Sequence, residues 1–323
     1  MKAFYINSLR GDVIETRHLV HAVMLQGSKV VLHFGNDQII TPMRSAAKPF
    51  MICQQIDLCK KSGLHLLDAQ LSVMVSSHNG EVEHRRMVES ILEMANCTFN
   101  DLFCGTHLPF FDWLYDDFFS EKDLHKRQLF HNCSGKHAGM LLLIELLGSY
   151  RDNYWNVRHP IQQQITASVR DLLTVSAKDP FSLALDGCGV PTYCITLHKM
   201  AEVYQRLYKD ERLQPIFTAV VNEPYMVAGK DRVETDIIQH CGFFAKSGSD
   251  GIFCVSIPKD DISIALKVED GNDDAAESAI VELLAMSGLM TPDVGKALDK
   301  YRYLKTYTST GLISGNYSPE FTS

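Results

Sequence analysis

Apolar, β-branched runs lie near both ends of this chain, and helical periodicity fills the stretch between them. Near the N-terminus, "LVHAVMLQGSKVVLHFG" holds two β-favouring runs around Gln26-Gly27-Ser28, and Gly35-Asn36-Asp37 turns the chain again. Near the C-terminus, "IFCVSIP" and "DISIALKV" read as adjacent strands. Asp270-Gly271-Asn272 then turns into a helix carrying Ile280, Leu283 and Leu284. Such a pattern points to an α/β or α+β fold whose terminal strands share one sheet. The expected sheet region is roughly 1–45 and 240–318, with a mainly helical region over roughly 46–239. A last strand-like piece surrounds "GLISG", and the terminal "SPEFTS" reads as a tail without regular structure.

The middle region carries the helical signals. From Ser45, the apolar positions Phe50, Ile52, Ile56 and Leu58 follow a helical period, with a stop at Lys60-Lys61 before Gly63. Pro49 falls in the first turn, where a missing N–H is harmless. "HNCSGKHAGMLLLIELLG" reads as a loop followed by a buried apolar helix, too short and too interrupted by Glu145 to span a bilayer. With 46 % hydrophobic and 22 % charged residues, the chain needs no disulfides to hold its core. Its net charge of -8 disfavours a nucleic-acid or anionic membrane partner. Nine cysteines at irregular spacing, and a start without a signal-peptide pattern, suggest a cytoplasmic protein with reduced thiols.

Three short elements carry candidate chemistry. Ser45 and Lys48 stand three apart at a helix start, so they share a face. A lysine of lowered pKa could take the serine proton, and the helix N-terminus favours negative charge nearby. The alternative is an N-cap serine beside a solvated lysine. Serine-acylating enzymes with S-x-x-K also carry an S-x-N element and a K-[ST]-G strand. Ser77-His78-Asn79 and Lys246-Ser247-Gly248 supply these in the same order. Each element has a decoy: Ser256-Ile-Pro-Lys259, Ser314-Gly315-Asn316 and Lys61-Ser62-Gly63. A second lysine near Lys48 would lower its pKa by like-charge repulsion.

Cys133, Lys136 and His137 cluster at the start of the apolar helix, and Cys188 sits in the tight turn "DGCGVP". A cysteine at a helix N-terminus beside basic groups tends toward thiolate, which is a nucleophile or a zinc ligand. The competing reading is a pair of buried, inert cysteines. His131 and His159, with no visible partners, read as structural.

Taken together, "MRSAAKPF", "SSHNGE", "HNCSGKHAGM", "LDGCGVP", "MVAGKDRVETD", "AKSGSDGIF" and "VEDGN" resemble the bacterial L-asparaginase II family of the Rhizobium etli inducible type. The likeness runs from about residue 7 to 315. Typical members have Ser-Gly where this chain has His78-Asn79-Gly80, and Gly-Ala-Glu-Gly at Gly248–Gly251. The resemblance implies a single catalytic unit over 1–323 with a serine β-lactamase/glutaminase-like fold: a central antiparallel sheet with a helical subdomain. It implies an L-asparaginase that hydrolyses L-asparagine to L-aspartate and ammonia, and a homodimer. It further implies two Ser–Lys pairs, Ser45 with Lys48 and Ser77 with Lys246. By the same likeness Cys133, Lys136 and Cys188 would bind one zinc ion (Zn2+) per subunit, with water as fourth ligand. Arg44, His137 and Asp186 fall on substrate-binding positions.

Other readings stay open at this level. One is a glutaminase or another small-amide hydrolase. A second is cysteine- or zinc-centred hydrolysis. A third is a non-enzymatic binding module, for which two serines and two lysines would have no use. Which of Ser45 and Ser77 attacks is not fixed by spacing; the helix start favours Ser45.

Overall fold

The computed structural model describes residues 3–322. Eleven strands occur in it: β1 (Ala3–Arg10), β2 (Val13–Gln26), β3 (Lys29–Phe34), β4 (Ile40–Pro42), β5 (Ser182–Leu185), β6 (Pro191–Thr196), β7 (Phe244–Gly248), β8 (Ile252–Ile257), β9 (Ile262–Val268), β10 (Lys305–Tyr307) and β11 (Ile313–Thr322). Two compact units are distinguishable. One comprises 1–46, 195–206 and 236–323; the other comprises 47–194 and 207–235.

The first unit is built on an antiparallel sheet. Its strand order is β10-β11-β1-β2-β9-β8-β7, with β3 also paired to β2. The sharing of one sheet by both ends of the chain is therefore present. Strand β2 is long enough to serve two neighbourhoods: Val13–Val20 pairs with β1, and Val20–Gln26 with β9. Gly27, at φ +57, closes the β2–β3 hairpin, a conformation that favours glycine. "IFCVSI" and "ISIALKV" do lie side by side as β8 and β9. Both are almost wholly buried, because the helix Asp273–Met286 packs on β8, β9, β11 and β1. Asn272 caps that helix by accepting from Ala275 N–H at 2.7 Å.

The tail expectation fails. Residues 318–322 continue β11, where Ser318 stands opposite Asn7 and Thr322 opposite Ala3. Phe321 stacks on Phe4 with centroids 4.7 Å apart. Read alone, a polar, proline-containing end offers too little apolar periodicity to be called a strand. Pairing with β1 supplies the missing interactions.

The second unit is mainly helical and also holds β5 and most of β6. The helix Asp68–Val75 lies at its centre, packed by the helices Val82–Met94, Ser134–Leu147 and Gln214–Asn222. Ser134–Leu147 is buried over Ser134 to Ile144, as its all-round apolar character requires. It approaches Asp68–Val75 so closely that a Cβ on Gly135 would stand 2.0 Å from the Val73 carbonyl oxygen. The expected helix from Ser45 to Lys61 is instead three pieces: a 3-10 turn Arg44–Ala47, a short helix Lys48–Met51, and a helix Cys53–Lys61 after a break at Ile52. Among the described residues no helix is long and apolar enough to cross a membrane.

Candidate active site

Ser45 lies within the 3-10 turn that leads directly into Lys48, and it is only 5 % exposed. Arg44 beside it has a backbone φ of +51. A non-glycine residue in that region costs about 1–2 kcal/mol, so surrounding structure must hold it there. One holder is visible in the sheet unit. The Arg44 guanidinium forms an ion pair with Asp250, itself at φ +62 in the turn after β7. The backbone of Gly248 also passes so near that a Cβ there would stand 2.7 Å from the Met43 carbonyl oxygen. The Lys246-Ser247-Gly248 element is thus a buried strand running beside the residues that precede Ser45. Lys246 is fully buried, with Nζ donating to the Ser247 carbonyl at 2.8 Å.

The decoys separate cleanly by local structure. Ser256 lies in strand β8, and Lys259 in the 3-10 turn Pro258–Asp260. Ser314–Asn316 lies within β11. Lys61-Ser62-Gly63 is a helix C-terminus, with Gly63 at φ +72.

In the helical unit, Lys48 is not solvated. It is fully buried, and its Nζ donates to the Ser76 carbonyl, to Ser77 Oγ at 3.3 Å and to the Asn132 carbonyl at 3.3 Å. Burial lowers its pKa, helped by Lys136 and opposed by Cys133, Cys188 and Asp186. The neutral amine is the form that can accept a proton. The Lys48–Ser77 contact joins two of the expected residues in a combination that spacing does not indicate.

Cys133 occupies the N-cap position of Ser134–Leu147, which puts Lys136 and His137 in the first turn. The "DGCG" turn joins β5 to β6, closed by Asp186 N–H to the Val190 carbonyl at 2.8 Å. Cys133, Cys188 and Asp186 come together there, with their ligating atoms within 4.8 Å of one another. A hydrogen bond from the Cys188 thiol holds Cys133 well below the usual thiol range, against the effect of burial and with help from Lys48 and Lys136. Cys188 is raised by the same bond.

Lys136 Nζ lies 2.9 Å from Asp186 Oδ2, both side chains being almost fully buried. Burial lowers the Lys136 pKa, but Asp186, Cys188 and Cys133 outweigh it and hold the ammonium well above its ordinary range. Lys136 is therefore a cation here, and Asp186 is a third potential donor, although the sequence likeness puts it on substrate. Nothing in the sequence signals this, because Asp186 and Lys136 are fifty positions apart.

His137 is buried, its Nδ1 2.7 Å from the Tyr154 hydroxyl. That hydroxyl also accepts from Phe103 N–H at 3.0 Å, which fixes Tyr154 against the ring. Burial pushes the His137 pKa down to about 3, with Lys136 adding to the effect, so the ring is neutral. His131 accepts from Cys133 N–H at 3.0 Å, which gives it a partner the sequence does not show. His159 caps the helix Pro160–Leu172 through Nδ1.

Two buried thiols and a carboxylate within a few ångströms suit a tetrahedral zinc site, whose sulfur ligands stand about 2.3 Å from the metal. By donor chemistry Cys133, Cys188 and Asp186 fit zinc as they stand. Lys136 would first have to lose the proton that Asp186 stabilises.

The family model described as L-asparaginase II matches residues 6–319. Comparison with curated proteins finds no match. Among solved structures, the chain is similar to Mglu at 12 % identity and a TM-score of 0.37, covering 85 % of this chain and 67 % of that one. It is similar to a beta-lactamase from Mycobacterium bovis at 13 % identity and 0.34, covering 84 % and 95 %. The octameric penicillin-binding protein homologue from Pyrococcus abyssi gives 11 % identity and 0.39, covering 90 % and 79 %.

Proposed function

Since the chain belongs to the L-asparaginase II family, and is thus an amidohydrolase with a small-molecule amide substrate, we propose that it hydrolyses L-asparagine to L-aspartate and ammonia through a serine acyl-enzyme. The observation that carries the chemistry is Lys48: a fully buried amine of lowered pKa, 3.3 Å from Ser77 Oγ and three residues from Ser45. A solvated surface lysine would be a poor base at neutral pH; a buried one is a competent base.

In this reading Lys48 takes the proton of Ser45, whose oxygen attacks the side-chain amide carbon. Backbone N–H groups of the turn into Lys48–Met51 stabilise the oxyanion. The contact of Lys48 with Ser77 gives the proton a route onward to the departing ammonia, and water then cleaves the aspartyl ester by the reverse steps. Lys246 keeps the role implied by sequence likeness, a second basic group paired with Ser77. The same 3.3 Å contact favours a second reading in which Ser77 attacks and Lys48 is its direct base.

A resident zinc would be held by Cys133 and Cys188, with Asp186 or a deprotonated Lys136 completing the protein ligands. It would supply a fixed positive charge that polarises a bound oxygen. His137, held neutral by burial, would present its Nε2 to substrate. Arg44 would be only in part available to a substrate carboxylate, given its ion pair with Asp250. Homodimer formation and the closer kinship with the Rhizobium etli inducible type belong to this proposal on motif likeness alone, and a cytoplasmic location on cysteine usage.

The test is ammonia release from L-asparagine and L-glutamine by wild type, Ser45→Ala and Ser77→Ala, with and without added zinc. Asparagine hydrolysis lost in Ser45→Ala under both metal conditions supports the scheme. Retention in Ser45→Ala with loss in Ser77→Ala transfers the nucleophile to Ser77. Retention in both serine variants, or no ammonia from folded wild type, overturns it.

A further inference from the structure

The segment Ser76–Glu81 carries Ser77 between two helices, and a second segment, residues 225–232, grips it along its length. Ser77 N–H donates to the Val227 carbonyl and Asn79 N–H to the Ala228 carbonyl, both at 2.9 Å. Glu81 accepts from the Tyr225 hydroxyl at 2.7 Å and from Lys230 N–H at 2.9 Å. The two segments meet so tightly at Gly229 (φ +110) that a Cβ there would stand 2.2 Å from Glu81 Oε1.

One side chain closes this clamp on Ser77 itself. Arg232 Nη1 donates to the Ser77 carbonyl and to Asn79 Oδ1, each at 3.1 Å. Its Nη2 donates to Glu234 at 3.2 Å, and its guanidinium carbon stands 5.1 Å from the Phe110 ring centroid. The guanidinium is therefore fixed from two sides before it touches Ser77. His78, between the two gripped residues, is tied elsewhere, its Nε2 3.0 Å from Ser134 Oγ. With its neighbours held in this way, the backbone position of Ser77 decides where its Oγ lies.

We infer that Arg232 is a positioning residue: by holding the Ser77 carbonyl and Asn79 it sets the Ser77 hydroxyl against Lys48 Nζ. This inference deepens the proposed serine mechanism and rests on it. A planar guanidinium suits the task because one fixed plane serves Ser77, Asn79 and Glu234 at once; a lysine is a single point charge on a flexible stem. A displacement of about 1 Å at a reacting group can reduce turnover about a hundredfold.

The experiment compares wild type, Arg232→Lys and Arg232→Ala for kcat and KM on L-asparagine, for Tm, and for rescue of Arg232→Ala by guanidinium chloride at low, non-denaturing concentration. Arg232→Lys retains a cation for the buried Glu234 and serves as the foldable variant. The expected result is a fall in kcat of about a hundredfold, KM within about threefold, and partial recovery of Arg232→Ala with guanidinium but not with ammonium. A folded Arg232→Lys whose kcat stays within about twofold of wild type overturns the inference. So does a loss of activity that only tracks a lowered Tm and is not rescued. Wild type releasing no ammonia removes the proposed function and this inference together, whereas active wild type with undiminished variants removes the inference alone.

Discussion

The ammonium of Lys136 and the carboxylate of Asp186 lie 2.9 Å apart in a pocket that exposes 1 % of the lysine side chain and 7 % of the aspartate. Such a pair, if broken on one side, leaves a buried charge uncompensated. It also decides which groups can serve as donors beside Cys133 and Cys188.

Metal content should separate the two ligand sets. Cys133→Ala and Cys188→Ala should each lose zinc measured by elemental analysis after dialysis. If Asp186 is the third donor, Asp186→Asn should lower zinc affinity by about tenfold or more while Lys136→Met changes it less. The opposite order would assign the lysine as ligand.

Acylation should be visible directly. Mass spectrometry of wild type quenched during turnover of L-asparagine should find an aspartyl adduct on the peptide containing Ser45. Ser45→Ala should lower kcat by at least about a thousandfold. An adduct on the peptide containing Ser77 would favour the second reading.

The lowered pKa of Lys48 sets the direction of the pH dependence. Its neutral form is the active base, so kcat/KM should rise with pH along a limb below the ordinary lysine value of about 10.4. Because an unfolded lysine binds its proton more tightly than this buried one, Lys48 should also make the fold more stable as pH rises between the two pKa values, and less stable as pH falls. Lys48→Arg, which cannot lose its proton, should remove the limb along with the activity. A rate profile without this limb would count against Lys48 as base.

Three helical glycines should respond differently to alanine. Gly295, in the helix Pro292–Arg302, has open space where a Cβ would stand, so Gly295→Ala should stabilise by about 0.5–1 kcal/mol. At Gly139 the nearest atom is Met74 Sδ, 3.0 Å away on a flexible side chain, and the change should be near neutral. At Gly135 the obstacle is the Val73 backbone, so overpacking should outweigh helix propensity and destabilise by about 1–3 kcal/mol. Thermal unfolding of the three variants checks the order.

The sequence by itself determined what depends on near neighbours. Strand pairs around Gly27 and between β8 and β9 follow from alternating apolar runs and turn residues, because hairpin partners are close along the chain. The placing of Cys133, Lys136 and His137 at a helix start follows from the polar-to-apolar change in "HNCSGKHAGM". Turn chemistry likewise marks the Asp186–Val190 loop.

Tertiary structure decided which distant groups meet. Lys48 reaches Ser77, Arg232 reaches the same serine through its carbonyl, and Asp186 joins two cysteines rather than standing alone. It also carried the last strand on through residues 318–322, since that polar segment acquires its hydrogen bonds only when β1 is beside it. The physical reason is common to these cases. Periodicity records which face of an element is buried, but the partner of a buried polar group is fixed by how elements far apart in the chain pack. In that interior each unpaired charge is penalised strongly enough to select one arrangement.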